Sequence, residues 1–487
     1  MDYSQFLVMK QEICLLVVFL LVFLNDLFLP RKAQSGIGTI ACILFGVFTL
    51  LGFCPSVLGC SSEMAFGGMY ETSPVIATIK NILNVGTLIV MVQSLKWTAT
   101  DMQRFRRGEF YELLLLTLFG MYLMISSRHF LMFIIGLETA SLPLAAMVAF
   151  DKHRYESHEA AVKYILTAVF SSAVFLMGLS FVYGLSGSLY FSDIAIRVLC
   201  QGVSVPLIIA LAFVIAGMGF KLSLVPFHLW TADVYQGAPT SVTSYLSVIS
   251  KGSAAFAFLV ILWQVFGSVY ADAWEWMLYA IIILTITVGN LFAIRQHNLK
   301  RFLAFSSISQ AGYIMLGVIA YKSGSNMGVA ALLYYVLVYI FSNLAAFGVI
   351  GAIENKTGKV SMEDYNGLCK TNPRLSLTMM LAMFSLAGIP PFAGFFSKFF
   401  IFTSAINQGS IAIYVLVLIA LINTIISLYY YLLVVKAMYI NTEKPCTIES
   451  FRSSNSERVA MWVCVAGIIG LGIVSFFYDS ILRIAGC

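Results

Sequence analysis

Charge is the scarcest property of this sequence. Only 11% of its 487 residues are Asp, Glu, Lys or Arg, and 60% are apolar, whereas about 25% of the residues of an ordinary soluble domain are charged. This composition excludes a water-soluble fold and indicates a protein that crosses a membrane many times. No polar stretch between the apolar runs is long enough to form a soluble domain, so a separate globular catalytic unit is excluded as well.

Motifs that bind cofactors or metals are also missing. The nine cysteines include no C-x-x-C pair, which argues against iron–sulfur or zinc ligation. The stretch HEAAVK at 158–163 lacks the second histidine of a zincin motif, and GMGFKL and NKTGKVS fall short of the dinucleotide and phosphate-loop patterns. We therefore expect no cofactor and no metal in this chain, and any redox reaction would depend on partner proteins.

Fourteen apolar runs are long enough to cross a bilayer as helices, because each is near the ~20 residues that span the hydrocarbon core. The first run is longer than a signal-peptide core and ends in Arg31-Lys32, so we expect a retained helix. The sequence thus predicts an all-α polytopic membrane protein of about 14 helices. The predicted spans are 13–29, 38–58, 76–95, 110–127, 129–150, 159–184, 203–228, 238–266, 273–294, 301–320, 327–353, 375–405, 411–437 and 458–484.

Basic residues are distributed unevenly between the two sets of connections. The connections after odd-numbered spans hold 19 Lys and Arg residues, and the other side, with both termini, holds six; Lys300 is counted in the first set and Lys80 in the second. The positive-inside rule places the richer set in the cytoplasm and both termini outside it. The net charge of +6 is therefore explained by membrane orientation, and we expect no nucleic-acid partner.

Five charged residues stand out within the predicted spans, where a charge at a helix centre costs about 2.5–3.5 kcal/mol on insertion scales. Together they oppose assembly by roughly 10 kcal/mol or more. Structural pairing could compensate in part: Glu138 could neutralise one lysine, and Lys163 could reach the interface and pair with Glu159 at i+4. One carboxylate cannot pair three ammonium groups, so function explains the others better. The five residues are Glu138, Lys163, Lys221, Lys251 and Lys398.

All four cations among these five residues are lysines. Lysine, unlike arginine, can give up its proton once it is removed from water, and a nearby carboxylate favours the charged form again. A change in distance between Glu138 and a lysine would therefore switch that lysine between holding and releasing a proton. Intramembrane ionisable residues of this kind indicate a proton relay. His228 suits proton entry or exit, although an interfacial hydrogen bond explains a single histidine near a helix end equally well.

Two spans carry helix-breaking residues beside a lysine. GMGFKLSLVPFHLW at 217–230 brackets Lys221 with two glycines and a proline, and SLAGIPPFAGFFSKFF at 385–400 places Gly-Ile-Pro-Pro shortly before Lys398. Proline kinks are common in membrane helices, but paired broken segments are typical of internally repeated transporters. The breaks fall in spans 7 and 12, which predicts two inverted five-helix repeats, helices 4–8 and 9–13.

Polar residues elsewhere in the spans have two explanations. They could hold ordered water between the ionisable groups, or they could serve ordinary helix packing. The first group lies in RFLAFSSISQAGY at 301–313 and the second in YYVLVYIFSN at 334–343. The residues are Ser306, Ser307, Ser309, Gln310, Tyr313, Tyr334, Tyr335, Tyr339 and Asn343.

Three stretches carry a family resemblance: GFKLSLVPFHLWTADVYQGAPTSVTSYLSVISKGSAAFAF, GNLFAIRQHNLKRFLAFSSISQAGYIMLG and SLAGIPPFAGFFSKFFIF. They resemble the N-type antiporter-like membrane subunit of complex I, NADH:quinone oxidoreductase, over spans 4 to 13. PFHLWTADVYQGAPT is similar to the N-type rather than to the L- and M-type subunits. The resemblance implies the 14-helix fold and a proton relay whose members fall on Glu138, Lys221, Lys251 and Lys398. Lys163 and His228 coincide with polar positions typical of the N-type subunit.

The resemblance implies a proton-translocating membrane-arm subunit, coupled to quinone reduction in other subunits. The chain would be part of an enzyme without holding a redox centre. Quinone, NADH, FMN and iron–sulfur clusters would belong to partner subunits, and the neighbours in the bilayer would be L-, M-, K- and J-type subunits. Fourteen spans favour a bacterial inner (plasma) membrane over an organellar one, with both termini on the periplasmic side.

The family resemblance and the predicted repeats divide the chain into four regions: helices 1–3 in 1–108, the first repeat in 109–267, the second repeat in 268–440 and helix 14 in 441–487.

Two alternative functions remain open. One is a subunit of a multisubunit cation/proton antiporter or of a membrane-bound hydrogenase, which share this fold and motif set. The other is a structural scaffold whose lysines bind anionic lipid head groups near the membrane surface.

Overall fold

The structure, a computed structural model, describes residues 3–28, 36–54, 62–100, 106–202, 204–267, 271–321, 326–441, 446–474 and 476–486. Twelve helices in these ranges are long and apolar enough to cross a membrane. One shorter apolar helix and one pair of half-helices bring the number of spans to the predicted 14. Of the residues used for the charge count, Arg31, Lys32, Arg104, Lys322 and Lys444 lie outside the described ranges.

Most span bounds lie within four residues of the predicted runs. Span 7 continues to Gly237 instead of ending at 228, and span 2 ends at Gly52, with residues 55–58 of its predicted run outside the described ranges. Residues 191–201 and 476–485 form two further helices, and Glu63–Ala65 (β1) pairs with Tyr70–Thr72 (β2) in an antiparallel hairpin. Spans 1 to 14 are Lys10–Phe28, Ile37–Gly52, Pro74–Thr98, Arg107–Ser126, Phe130–Val148, Tyr155–Ser186, Val205–Leu222 with Leu229–Gly237, Thr240–Phe266, Ala271–Ile294, Leu299–Ala320, Asn326–Thr357, Pro373–Ala387 with Ala393–Ile406, Ile411–Tyr439 and Asn455–Ile473.

The connections meet at two opposite ends of the helix bundle. Backbone bridges join Tyr70 to Ser127 and His129 to Tyr190, in connections after even-numbered spans. Asn298 bridges Ser361, and both follow odd-numbered spans. Successive spans therefore alternate in direction, as the charge distribution predicts. We call the end with the odd-numbered connections the basic face and the other end the opposite face.

Spans differ in how deeply they are buried. Every residue in the most apolar window of span 10 is buried, and 94% of the corresponding window of span 8 is, whereas only 28% of that of span 6 is buried. Close helix contacts use glycine: a Cβ at Gly120 or Gly136 would collide with the backbone of the facing helix, the small-residue packing usual in membranes. Spans 8 and 10 thus form an interior that is shielded from lipid.

The last predicted span, 458–484, is wrong in one respect. A helix begins at Asn455, where Ser454 and Glu457 form a capping box, and ends at Ile473. A separate helix, Phe476–Ala485, follows. This second helix buries Tyr478 and Ile481 and carries Asp479 and Arg483 elsewhere on its surface. Because this helix is amphipathic and has only ten residues, we expect it to lie along the bundle and not to complete a transmembrane helix.

Candidate functional site

Lys221 and Glu138 lie on facing helices without a direct ion pair. Lys221 is the penultimate residue of the first half of span 7 and is 6% exposed. Its Nζ donates to Ser141 Oγ at 2.6 Å, and Ser141 Oγ in turn donates to the carbonyl of Leu137. Glu138 is three residues before Ser141 on span 5 and is half-buried, within electrostatic reach of Lys221. The direct ion pair with Glu138 that could have neutralised a lysine is therefore absent among the described residues, and the hydrogen-bond partner of Lys221 is a serine hydroxyl.

The break in span 7 leaves backbone groups that find partners in neighbouring side chains. The first half ends at Leu222, and Ser223 adopts a left-handed conformation with φ of 61°. Trp230 Nε1 donates to the carbonyl of Phe220 at 3.2 Å, and the amide of Val225 donates to Thr285 Oγ1 at 3.0 Å. Irregular backbone survives at membrane depth only where protein or water supplies such partners.

Lys251 sits at the centre of span 8, directly after a π-helical turn at Leu246–Ser250. It is 1% exposed. Its Nζ donates to Ser307 Oγ at 2.6 Å and to the Ser307 carbonyl at 3.3 Å, and it lies 5.6 Å from the centre of the Tyr235 ring. Single π-helical turns occur frequently at functional sites, and here the turn directly precedes the buried ammonium group.

Lys398 is on the second half-helix of span 12 and bonds to the end of the first half-helix across the break. Its Nζ donates to the carbonyls of Leu386 and Ala387, each at 3.0 Å, and lies 5.1 Å from the centre of the Tyr313 ring. These carbonyls end the first half-helix, and Gly388 follows with φ of 88°. The carboxyl end of a helix carries partial negative charge and favours a cation. A 4% exposed ammonium group is thus held without any carboxylate partner among the described residues.

A line of buried polar groups leads from Lys251 to Lys398. Ser307, which accepts from Lys251, is one helical turn from Gln310 on span 10. Gln310 Nε2 donates to Tyr431 Oη at 3.1 Å and to the Leu386 carbonyl at 3.3 Å, and Tyr335 donates to Gln310 Oε1. A cavity of about 10 Å³ between Gln310 and Lys398 is near the size that one water molecule needs. Of the polar residues noted in the sequence at 306–310, Ser306 and Gln310 both contact Tyr431 and Ser307 contacts Lys251, whereas Ser309 Oγ has no hydrogen-bond partner among the described residues.

The interval between Lys221 and Lys251 is aromatic instead. Trp230 packs on Phe220 with ring centres 5.0 Å apart and on Tyr235 at 6.3 Å, and Tyr235 lies under Lys251. No hydrogen bond between described residues connects the two lysines. Between Lys251 and Lys398 the polar groups are close neighbours, although the step from Ser307 to Gln310 is one turn of span 10 and not a hydrogen bond between described residues. Toward Lys221 the polar groups give way to aromatic rings.

Lys163 and His228 lie outside this line. Lys163 is on span 6 near the basic face, and its side chain is 40% exposed; it contacts Asp233 Oδ2 at 2.7 Å and Glu159 Oε1 at 2.8 Å. The predicted i+4 pair with Glu159 is thus confirmed. Asp233 also binds Arg301 at 2.6 Å. His228 stands at the break of span 7, half-buried, with no hydrogen bond to Nδ1.

Sequence reasoning missed a buried ion pair near the opposite face. Lys80 was counted as a residue of the connections, but it lies inside span 3 and is fully buried. Its Nζ contacts Glu12 Oε1 at 2.6 Å, and Tyr70 Oη donates to Glu12 Oε2 at 2.9 Å. Its position inside the apolar run 76–95 was the available signal.

A second ionic group, at the basic face, was missed for the same reason. Lys300, counted with the connections, is 1% exposed and donates to the carbonyl of Ala238 at 2.8 Å and to Glu354 Oε1 at 3.3 Å. Arg154 contacts the same carboxylate at 2.8 Å, and Thr240 donates to it. Glu354 therefore joins spans 8, 10 and 11 to the connection after span 5.

Over the described ranges, no three His, Cys, Asp or Glu side chains come together in a way that could hold a metal ion.

Residues 127–427 match the family described as NADH:quinone oxidoreductase/Mrp antiporter, TM. The chain is 53% identical to NADH-quinone oxidoreductase subunit N of Phocaeicola vulgatus, over 98% of each chain. It is similar to a chain of respiratory complex I from Thermus thermophilus, with 30% identity, a TM-score of 0.77 and coverage of 95% of this chain and 97% of that one.

A further likeness concerns the fold alone. A chain of the membrane-bound sulfane sulfur reductase, an archaeal respiratory membrane complex, superimposes with a TM-score of 0.85 at 22% identity, over 99% of this chain and 97% of that one.

Proposed function

Since the chain belongs to the NADH:quinone oxidoreductase/Mrp antiporter transmembrane family, and within it to subunit N of NADH-quinone oxidoreductases, we propose that it moves protons across the membrane, driven by quinone reduction in partner subunits. It contributes no redox centre of its own; quinone, NADH, FMN and iron–sulfur clusters belong to those partners. The proposed membrane neighbours are L-, M-, K- and J-type subunits.

The observation that carries this proposal is the set of buried polar groups between the two lysines: Ser307 accepts from Lys251, and Gln310, one turn further along span 10, shares the Leu386 carbonyl with Lys398. Burying unpaired ammonium groups is costly, and each of these is held only by neutral oxygens. Neutral acceptors allow a lysine to exist with or without its extra proton, which a permanent ion pair would oppose.

The proposed sequence of events begins at Glu138. When the carboxylate approaches Lys221, the ammonium form is favoured; when it withdraws, Lys221 releases its proton toward Lys251. The proton then passes along the polar line to Lys398 and leaves by the exit half-channel at the break of span 12. Moving one charge against the membrane potential costs about 2.3 kcal/mol per 100 mV, so coupling to the partners must drive the change at Glu138.

Lys163 and His228 take supporting roles in this scheme, near the break of span 7. Spans 4–8, within 109–267, and spans 9–13, within 268–440, are proposed as inverted repeats; helices 1–3 (1–108) and helix 14 (441–487) flank them. Both repeats contain one broken helix with a buried lysine at the break, which supports this division. We place the basic face in the bacterial cytoplasm and both termini in the periplasm, following the positive-inside rule.

The test uses the assembled complex in membrane vesicles. Glu138→Ala and Lys221→Ala are expected to leave subunit levels normal and to lower proton pumping and coupled electron transfer. Lys152→Ala and Glu109→Ala, at exposed positions, serve as controls and should leave both unchanged. Unchanged pumping and activity in Glu138→Ala and Lys221→Ala, with normal protein levels, would refute these roles.

The alternative is a subunit of a multisubunit cation/proton antiporter or a membrane-bound hydrogenase. The fold fits such complexes too, but at about a fifth identity it shows architecture only. Mass identification of the subunits that purify with this chain separates the two proposals: flavin and iron–sulfur subunits with an NADH site support the first.

A further inference from the structure

A groove of about 780 Å³ opens at the basic face between the beginnings of spans 12 and 14. Among the described residues that line it, the charged ones are three arginines: Arg374 in the first turn of span 12, Arg452 just before span 14, and Arg458 in the first turn of span 14. None of the three forms an ion pair within the described part of the chain. Arg458 donates through Nε and Nη2 to the carbonyl of Ser453, at 3.0 and 2.8 Å, which holds its guanidinium in place.

The wall of the groove becomes apolar with depth. Leu377 and Leu381 follow Arg374 by three and seven residues, and Trp462 follows Arg458 by four. At 1.5 Å per residue, these side chains extend about 5–10 Å further into the membrane than the arginines. Leu377 is 47% and Trp462 66% exposed. Such a gradient, cationic at the interface and apolar below it with a tryptophan at the boundary, matches an amphiphile oriented along the membrane normal.

We propose that this groove binds one anionic phospholipid, with its phosphate at the three arginines and its acyl chains along Leu377, Leu381 and Trp462. Charge complementarity favours an anionic head group over a zwitterionic one, because the described lining contains three guanidinium groups and no carboxylate. Basic pockets between helices on the cytoplasmic side of a membrane are where anionic lipids bind. Two helices also begin here, and their amino ends add partial positive charge.

The lipid would contact the first half-helix of span 12, and the carbonyls at the other end of this half-helix accept hydrogen bonds from Lys398. Pro373–Ala387 runs from the groove to the carbonyls of Leu386 and Ala387, which accept from Lys398. The site itself does not depend on the proposed proton relay, since it is defined by a different surface.

Lipid binding is tested on the purified whole complex. After delipidation in detergent, phosphatidylglycerol or phosphatidylethanolamine with the same acyl chains is added, and bound lipid is counted by native mass spectrometry. Wild type should retain phosphatidylglycerol preferentially. The triple variant Arg374→Gln, Arg452→Gln, Arg458→Gln should lose about a hundredfold in phosphatidylglycerol affinity, because each basic residue near an anionic lipid contributes about a fivefold factor. The charge-matched control is Lys152→Gln, Lys356→Gln, Lys436→Gln, at exposed positions of the same face.

A second measurement needs no variant. A photoactivatable phosphatidylglycerol is cross-linked in wild-type membranes, and labelled peptides are mapped. Labelling at Leu377 or Trp462 supports the proposal. Equal retention of both lipids, unchanged affinity in the arginine variant, or cross-linking of this groove to a protein neighbour instead of lipid would each overturn it.

Discussion

Gln310 and Lys398 share one acceptor, the carbonyl oxygen of Leu386, which lies 3.3 Å from Gln310 Nε2 and 3.0 Å from Lys398 Nζ. Leu386 is the penultimate residue of a half-helix, so its carbonyl is free to accept from outside its own helix. Through this one oxygen, span 10 meets the broken span 12.

Replacing Gln310 by Met is expected to interrupt the line between Ser307 and Lys398. Met has a similar volume and removes both the donor to Leu386 and the acceptor from Tyr335. A hydrogen bond in a charged network is worth about 1.5–3 kcal/mol, so proton pumping should fall about tenfold or more. Gln93→Met is the matched control, because Gln93 is another buried amide that donates to a backbone carbonyl, that of Leu344. Equal loss in both variants would indicate a packing effect.

Ser307→Ala should alter how Lys251 holds its proton. The substitution removes the hydroxyl at 2.6 Å and leaves only the carbonyl at 3.3 Å. We expect pumping to fall while assembly, judged by subunit content of the purified complex, stays normal. Ser404→Ala removes a hydroxyl that bonds only within its own helix and should have no effect. Normal pumping in Ser307→Ala would exclude this serine from the relay.

Lys80→Met is expected to lower the stability of the protein without impairing proton pumping by the assembled complex. It leaves Glu12 charged and buried, and breaking a buried ion pair from one side costs about 3–5 kcal/mol. The double variant Glu12→Gln, Lys80→Met should recover most of the loss, as measured by thermal unfolding of the complex. A double variant as unstable as Lys80→Met would contradict this account, and so would impaired pumping by fully assembled complex.

Lys163→Gln should have a smaller effect on pumping than Lys221→Ala. The Lys163 side chain is 40% exposed, and after the substitution its partner Asp233 would still form an ion pair with Arg301, now at 2.6 Å. Exposed ion pairs contribute about 0–1 kcal/mol, so stability should stay close to wild type. Pumping assays on both variants in parallel check the order; a loss in Lys163→Gln equal to that in Lys221→Ala would place Lys163 within the main relay.

Much of the architecture was predictable because the forces behind it are local. Transfer of each side chain from water to lipid depends on its own chemistry, so hydropathy located the 14 spans. The breaks at spans 7 and 12 follow from proline and glycine, which act on their own backbone. The amphipathic helix 476–485 was not foreseen, since its apolar stripe merges with the preceding run in a simple hydropathy count.

The site was predictable only in part. Lys221, Lys251 and Lys398 could be identified as buried, because a charge near the middle of a long apolar run must lie within a membrane-spanning helix. Lys300 lies just before its predicted span, where position along the sequence does not distinguish burial from exposure. Lys80 lies inside the run 76–95, and that position indicates a buried charge. Asp233, close after the histidine in PFHLWTADVYQ, was also passed over.

By itself, the sequence determined the solvent of this protein, the number and alternation of its spans and the identity of the lysines that require compensation. Only the tertiary structure decided what compensates them. Lys221 meets Ser141, 80 residues away, and Lys251 meets Ser307, 56 residues away. Such partners depend on which helix faces which and in what rotation, and these are set by packing between backbones, where small residues such as Gly120 and Gly136 permit close approach. That choice is collective, and no single segment encodes it.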